Sequence, residues 1–222
     1  MPRPTHEQRQ APPVAPAHAN AARLDLRAFW GLALALALMC AVILLNQPNV
    51  EGVRQVIRST ARTSLVFFSL AYGAQALHRM WPGPAARWVR QQRRVWGWLF
   101  VVSHTLHAGG IAALGVLDPA LFAQLSPLAN RITGGLAYVI LWAMGVSSFD
   151  RTARWLGRPA WSRLHTWGSH YLWLSFVIAN GKRVPHEPWY VLPVALLLLI
   201  QGLRWWSARA TGPGKRQAVP AH

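Results

Sequence analysis

Six long apolar runs, at residues 29–45, 63–77, 95–117, 131–149, 164–180 and 189–206, leave this chain few ways to fold. A bilayer's hydrocarbon core, about 30 Å thick, takes roughly 20 residues of helix to cross. Only helices and closed barrels satisfy every backbone group in that medium. The expectation is an all-α integral membrane protein: a six-transmembrane-helix bundle. The breaks between runs carry the residues that stop helices. Asn46, Gln47 and Pro48 follow the first run, Pro82 and Pro84 the second, Asp118 and Pro119 the third. Ser126, Pro127 and Asn130 mark a loop, residues 150–163 read as a basic loop with Pro159, and residues 181–188 form a turn. In residues 50–60, Val53, Val56 and Ile57 recur at helical spacing with Arg54 and Arg58 between them. That pattern predicts a short interfacial helix ahead of the second span.

Three segments follow. Residues 1–28 include a Pro- and Ala-rich stretch and read as a disordered cytoplasmic tail. Residues 29–206 hold the six-helix domain, and residues 207–222 a polar cytoplasmic tail.

Charge gives the orientation. Of 23 Lys and Arg, 17 fall on the side of the N-terminus when six spans are threaded, and 6 on the other. The positive-inside rule then places both termini in the cytoplasm, in a multi-pass membrane protein. The formal net charge of +17 therefore comes from basic clusters between spans, and a nucleic-acid partner is not expected. Only 13% of residues are charged, against about 25% in a typical soluble domain. No Asp or Glu lies inside an apolar run, so no carboxylate serves acid–base chemistry within the membrane. Cys40 is the only cysteine, which leaves no disulfide framework, zinc spacing or iron–sulfur motif. Thirteen tryptophans, many near the run ends, fit aromatic belts at the two interfaces.

Four histidines stand in or at the start of apolar runs: His104 and His107 in the third, His165 and His170 in the fifth. A polar ionisable group at that depth is costly and normally faces the bundle interior. Imidazoles offered by two helices are the arrangement that axial haem ligation needs. His104 and His107 are about 60° apart around their helix and share a broad face; His165 and His170 are about 140° apart and cannot face one point. Counted from Arg94 and Arg163 at about 1.5 Å per residue, His104 stands about 15 Å up, His107 about 20 Å, His165 about 3 Å and His170 about 10 Å. His104 with His170 is the best match in height and His107 with His165 the poorest. Structural hydrogen bonding to neighbouring Ser, Thr or carbonyl groups is the plain alternative, and proton relay or metal transport a further one. His78, beside Arg79, reads as interfacial.

The residues RRxxGWxF (from Arg93), SHTLH (Ser103 to His107) and WxRLH (Trp161 to His165) resemble the ferric reductase-like transmembrane domain family. Within it they are most similar to the haem-binding membrane subunit of the periplasmic methionine sulfoxide reductase system. The likeness runs from ARTSL at Ala61 to the sixth run. It implies a six-helix bundle that carries haem b, one or two, and passes electrons across the membrane. The implied donor is a cytoplasmic flavin reductase or quinol, and the acceptor lies on the periplasmic side. It implies His107 as the ligand of the third span and His165 as the first ligand of the fifth. A further family histidine, thirteen residues after the position of His165, is replaced here by Ile178. His170 could stand in for it, one haem could be lost, or the chain could be a haem-free scaffold that keeps the fold. FMN or quinone is not indicated by the sequence, and no nicotinamide or flavin domain is present.

Overall fold

The computed structural model describes residues 26–210. The expected tails lie outside that range, except that residues 26–28 and 207–210 belong to the first and last helices. Among the described residues the regular structure is entirely helical: α1 (Leu26–Asn46), α2 (Val50–Met80), α3 (Pro84–Gln91), α4 (Arg93–Leu117), α5 (Pro119–Leu125), α6 (Leu128–Val146), α7 (Asp150–Leu156), α8 (Arg158–Gly181) and α9 (Val191–Ala210). A single 3-10 turn, Pro188–Tyr190, leads into α9.

Three of these, α1, α4 and α9 with its leading turn, are long and apolar enough to cross a membrane. A fourth is reached if α6 and α7, bent by 105° at their junction, count as one span. The other long helices, α2 with 31 residues and α8 with 24, extend about 46 Å and 36 Å at 1.5 Å per residue. Arginines in both, and the hydroxyl and other polar side chains along them, dilute their apolar character.

Two sequence expectations change. The interfacial helix expected at residues 50–60 and the second span are one continuous helix, α2. No Pro or Gly interrupts residues 53–72, and one buried stripe, Val53, Val56, Thr60, Ser64, Phe68 and Tyr72, runs through both halves. The hydroxyls of Thr60 and Thr63 bond back to carbonyls of the preceding turn, which satisfies them without breaking the helix. Asn49 caps α2 by accepting the Gly52 N–H at 3.1 Å, and Glu51 accepts from Arg54 at 2.7 Å and Arg58 at 2.8 Å. The basic loop expected at residues 150–163 is instead the short helix α7 and the first turn of α8. Gly157, at φ +77°, makes the reversal between them, a conformation glycine adopts without a Cβ penalty.

Five helices form a closed ring. α2 packs on α4 and α9, α9 on α8, α8 on α6, and α6 returns to α4; α1 leans on α2 and α4 from outside. Each ring member sends buried side chains into a shared centre: Phe68 and Tyr72 from α2, Phe100 from α4, Leu141 from α6, Leu172 and Phe176 from α8, and Leu197 from α9. Lipid is as apolar as these side chains, so van der Waals packing and buried hydrogen bonds hold the helices together. The α2–α4 seam shows both. Ser103 Oγ donates to Thr60 O at 3.1 Å and lies 2.8 Å from Thr63 Oγ1 and 2.9 Å from Ser64 Oγ. Gly110 lets Ile57 approach to where a Cβ would stand 2.9 Å from its Cγ1.

The outer surface is that of a membrane protein. Leu34, Leu38 and Val42 of α1, Val139 of α6, and Leu192, Leu196 and Leu199 of α9 are exposed. Trp30 near the start of α1 and Trp205 and Trp206 near the end of α9 are exposed as well, as an interfacial belt requires.

Candidate functional site

The ring is filled at its centre and open at one end, where α2 and α9 finish and α4 and α8 begin. That end holds a cavity of about 670 Å³. Its inner walls are apolar: Phe68, Phe100, Leu141 and Leu172 belong to the packed core, and Met144 and Val101 join them. Phe68 and Phe100 line the floor and Phe176 packs against both, with ring centroids 5.3 Å, 5.3 Å and 5.9 Å apart. His165 stands in the wall from the first half of α8.

The rim is basic. Arg90, Arg93, Arg94 and Arg204 line it, and Asp150 is the one carboxylate among the described residues to do so. Arg94 reaches Asp150 at 3.2 Å and donates to Ser148 O at 2.7 Å. Arg93 Nε donates to Ala71 O at 3.0 Å. Arg204 Nη1 donates to Tyr72 O at 2.8 Å, and its Cζ lies 3.9 Å from the centroid of the Tyr72 ring. Tyr72 is positioned in turn by donating its hydroxyl to buried Gln201 Oε1 at 2.5 Å.

The four histidines do not meet in this cavity. His165 alone lines it. His165 Nε2 is 3.0 Å from Ser147 Oγ, and its ring stacks on Trp161 at 4.2 Å. Ser147 also donates to Met144 O at 3.1 Å, so both contacts hold only if His165 donates through Nε2. His104 and His107 lie beyond the aromatic floor and stack on each other at 5.1 Å, with Tyr138 and Phe176 against His104. His107 Nδ1 donates to Ile57 O at 2.9 Å and lies 3.3 Å from Thr60 Oγ1, which leaves Nε2 as the bare nitrogen. His104 Nδ1 is buried without a partner. His170 Nδ1 donates to Thr166 O of its own helix at 2.7 Å, with Tyr72 edge-on at 6.1 Å. Ile178, at the position where the resembled family carries its further histidine, is exposed. Among the described residues no three His, Cys, Asp or Glu side chains gather as metal ligands do.

Sequence reasoning missed the rim. The spacing of the basic clusters does not set Arg93, Arg94 and Arg204 apart from the other arginines on the side of the N-terminus. The available signal was Gln201 and Arg204 inside the last apolar run, since polar groups at membrane depth usually serve a site.

Comparison with protein-family models, with curated proteins and with solved structures finds no match. The chemistry of the site can still be tested against haem. The cavity is bounded by aromatic rings, has an imidazole in its wall and cations at its rim, all suited to a flat, largely apolar group with acidic substituents. The bis-imidazole pair expected from α4 and α8 is not assembled there. One imidazole is, and its Nε2 must exchange Ser147 for iron before it can ligate in the usual way.

Proposed function

We propose that this chain is a multi-pass electron-transfer protein of a bacterial inner membrane that holds haem b in the cavity at the α4–α8 end of its bundle. The observation that carries the reading is the His165 imidazole in a wall of aromatic and aliphatic side chains bounding about 670 Å³. Haem supplies a one-electron couple when bound. The chain's part is to position and to shield. His165 offers the nitrogen for the metal and Trp161 holds its ring by stacking. Phe68, Phe100 and Phe176 keep water from crossing the bundle beneath. The reading includes six spans, α1, α2, α4, α6, α8 and α9, with both termini cytoplasmic; the Lys and Arg bias of 17 to 6 supports it. In that topology the cavity opens to the cytoplasm, and redox partner proteins or a quinol exchange electrons there and on the periplasmic side. Membership of the ferric reductase-like group is part of the proposal and rests on the motif likeness.

A second reading has one specific observation in its favour. His165 Nε2 is already bonded to Ser147, and no other of the four histidines lines the cavity with it, as expected of a haem-free scaffold that keeps the fold.

Transmembrane electron transfer separates the two. Haem-loaded protein in vesicles containing ferricyanide, with dithionite outside, is expected to bleach the trapped oxidant at least tenfold faster than vesicles with haem-free protein. Equal rates would remove electron transfer from the account.

A further inference from the structure

We propose that Arg93 and Arg204 form an anion clamp that takes the acidic groups of the cavity's occupant, so that the occupant enters apolar edge first and stays with its acids at the rim. The inference rests on the haem reading for the identity of that occupant, and it concerns arginines that reading does not use.

Three observations lead to it. First, the two side chains come from separate helices, the start of α4 and the end of α9, yet anchor on consecutive carbonyls of α2, those of Ala71 and Tyr72. A neutral carbonyl uses one N–H of a guanidinium and leaves its charge and the rest of its donors uncompensated. Second, the rim has too little negative charge. Four arginines face one carboxylate, Asp150, which pairs with Arg94 at 3.2 Å. Third, Arg204 Nε is buried with no acceptor, although the guanidinium is fixed by the Tyr72 ring and carbonyl. Buried donors are nearly always satisfied, and an orphan held rigidly beside a cavity marks a missing acceptor.

Topology alone does not require this arrangement. An arginine that serves only the positive-inside rule keeps its head in water, as exposed Arg151 and Arg154 do. Arg204 is instead half-buried and stacked, on a helix whose neighbouring Gln201 holds Tyr72 in place, and Arg93, though exposed, is tied by its Nε to Ala71 O. Phe68 stacks on the inner side of Tyr72 at 5.0 Å and, with Phe100, lines the same cavity, so apolar wall and guanidinium stand side by side and the ligand chemistry is an amphiphile acidic at one edge. A planar dicarboxylate has that chemistry, each carboxylate meeting one guanidinium by charge-assisted bonds.

Metal-free protoporphyrin IX isolates the clamp from any iron ligation. The full chain in lipid nanodiscs is titrated by fluorescence with protoporphyrin IX and with its dimethyl ester, which lacks both charges. The free acid is expected to bind wild type at least tenfold more tightly than the ester. In the doubly substituted Arg93→Gln, Arg204→Gln protein the acid should weaken to the level of the ester, while ester binding stays as in wild type. Arg151→Gln with Arg154→Gln, which removes the same charge elsewhere, should leave both affinities unchanged. Retained helical circular dichroism shows that the clamp variant is folded; if it unfolds, Arg93→Lys with Arg204→Lys, which keeps charge and loses the fork, takes its place and should weaken the acid alone. Equal binding of acid and ester to wild type, or wild-type affinity in the folded clamp variants, overturns the clamp and leaves the haem reading standing. Absence of any porphyrin binding to wild type overturns both.

Discussion

Replacing His165 by alanine is expected to lower the haem content of the purified protein at least tenfold. His104→Ala, His107→Ala and His170→Ala should each leave it within about twofold. The argument is positional. His165 is the imidazole in the cavity wall, whereas His104 and His107 lie on the far side of the phenylalanine floor and His170 is bonded to its own helix at Thr166 O. Loss even of a group that orients a metal ligand typically costs 10–100-fold in affinity, and loss of the ligand itself should cost no less. The measurement is the ratio of Soret to protein absorbance in matched preparations. A large loss in His107→Ala with none in His165→Ala would move the cofactor to the other half of the bundle and require the aromatic floor to open.

The largest expected effect on stability is at Gly52. A Cβ added there would overlap the backbone carbonyl of Gln47. That carbonyl cannot move aside cheaply. It accepts the Asn49 N–H at 2.9 Å within the α1–α2 turn, and Pro48 restricts the backbone between them. Gly52→Ala must therefore open the turn and release the Asn49 cap, which bonds the Gly52 N–H. Overpacking of this kind costs about 1–3 kcal/mol, and loss of the cap adds about 1 kcal/mol. Thermal unfolding in mild detergent should show a midpoint lowered by several degrees. Gly202→Ala is the control. Nothing lies within 4 Å of its added Cβ, and alanine in a helix interior is favoured over glycine by about 1 kcal/mol. It should be neutral or stabilising; a Gly52→Ala protein as stable as this control would contradict the turn geometry.

The helices were legible in the sequence because each apolar run and its flanking Pro, Asn or Asp act locally. α1, α4 and α6 stand close to where hydropathy and breakers put them. The join of residues 50–60 to the second run was not legible by hydropathy. Arg54, Arg58 and Arg62 lower the mean along a stretch whose buried stripe is nevertheless continuous. Pro84 and Pro119 look like breakers in the sequence yet open the short helices α3 and α5 as first-turn residues, and α7 occupies part of the stretch expected as a basic loop. For the site, sequence spacing picked out the four histidines and showed that His165 and His170 diverge. It could not show that α4 and α8 meet across an aromatic floor, since that depends on which face each helix turns to the ring. Nor could it separate Arg93 and Arg204 from arginines that merely mark the cytoplasmic side. Only their shared anchorage on Ala71 and Tyr72 does so.

The pyridine haemochrome assay on protein expressed with ample haem tests the central claim most directly, because it reports haem type and stoichiometry together. One haem b per chain is the predicted result. A colourless, folded protein with no haemochrome would contradict the account, and a ratio of two would require a second site beyond the cavity that His165 lines.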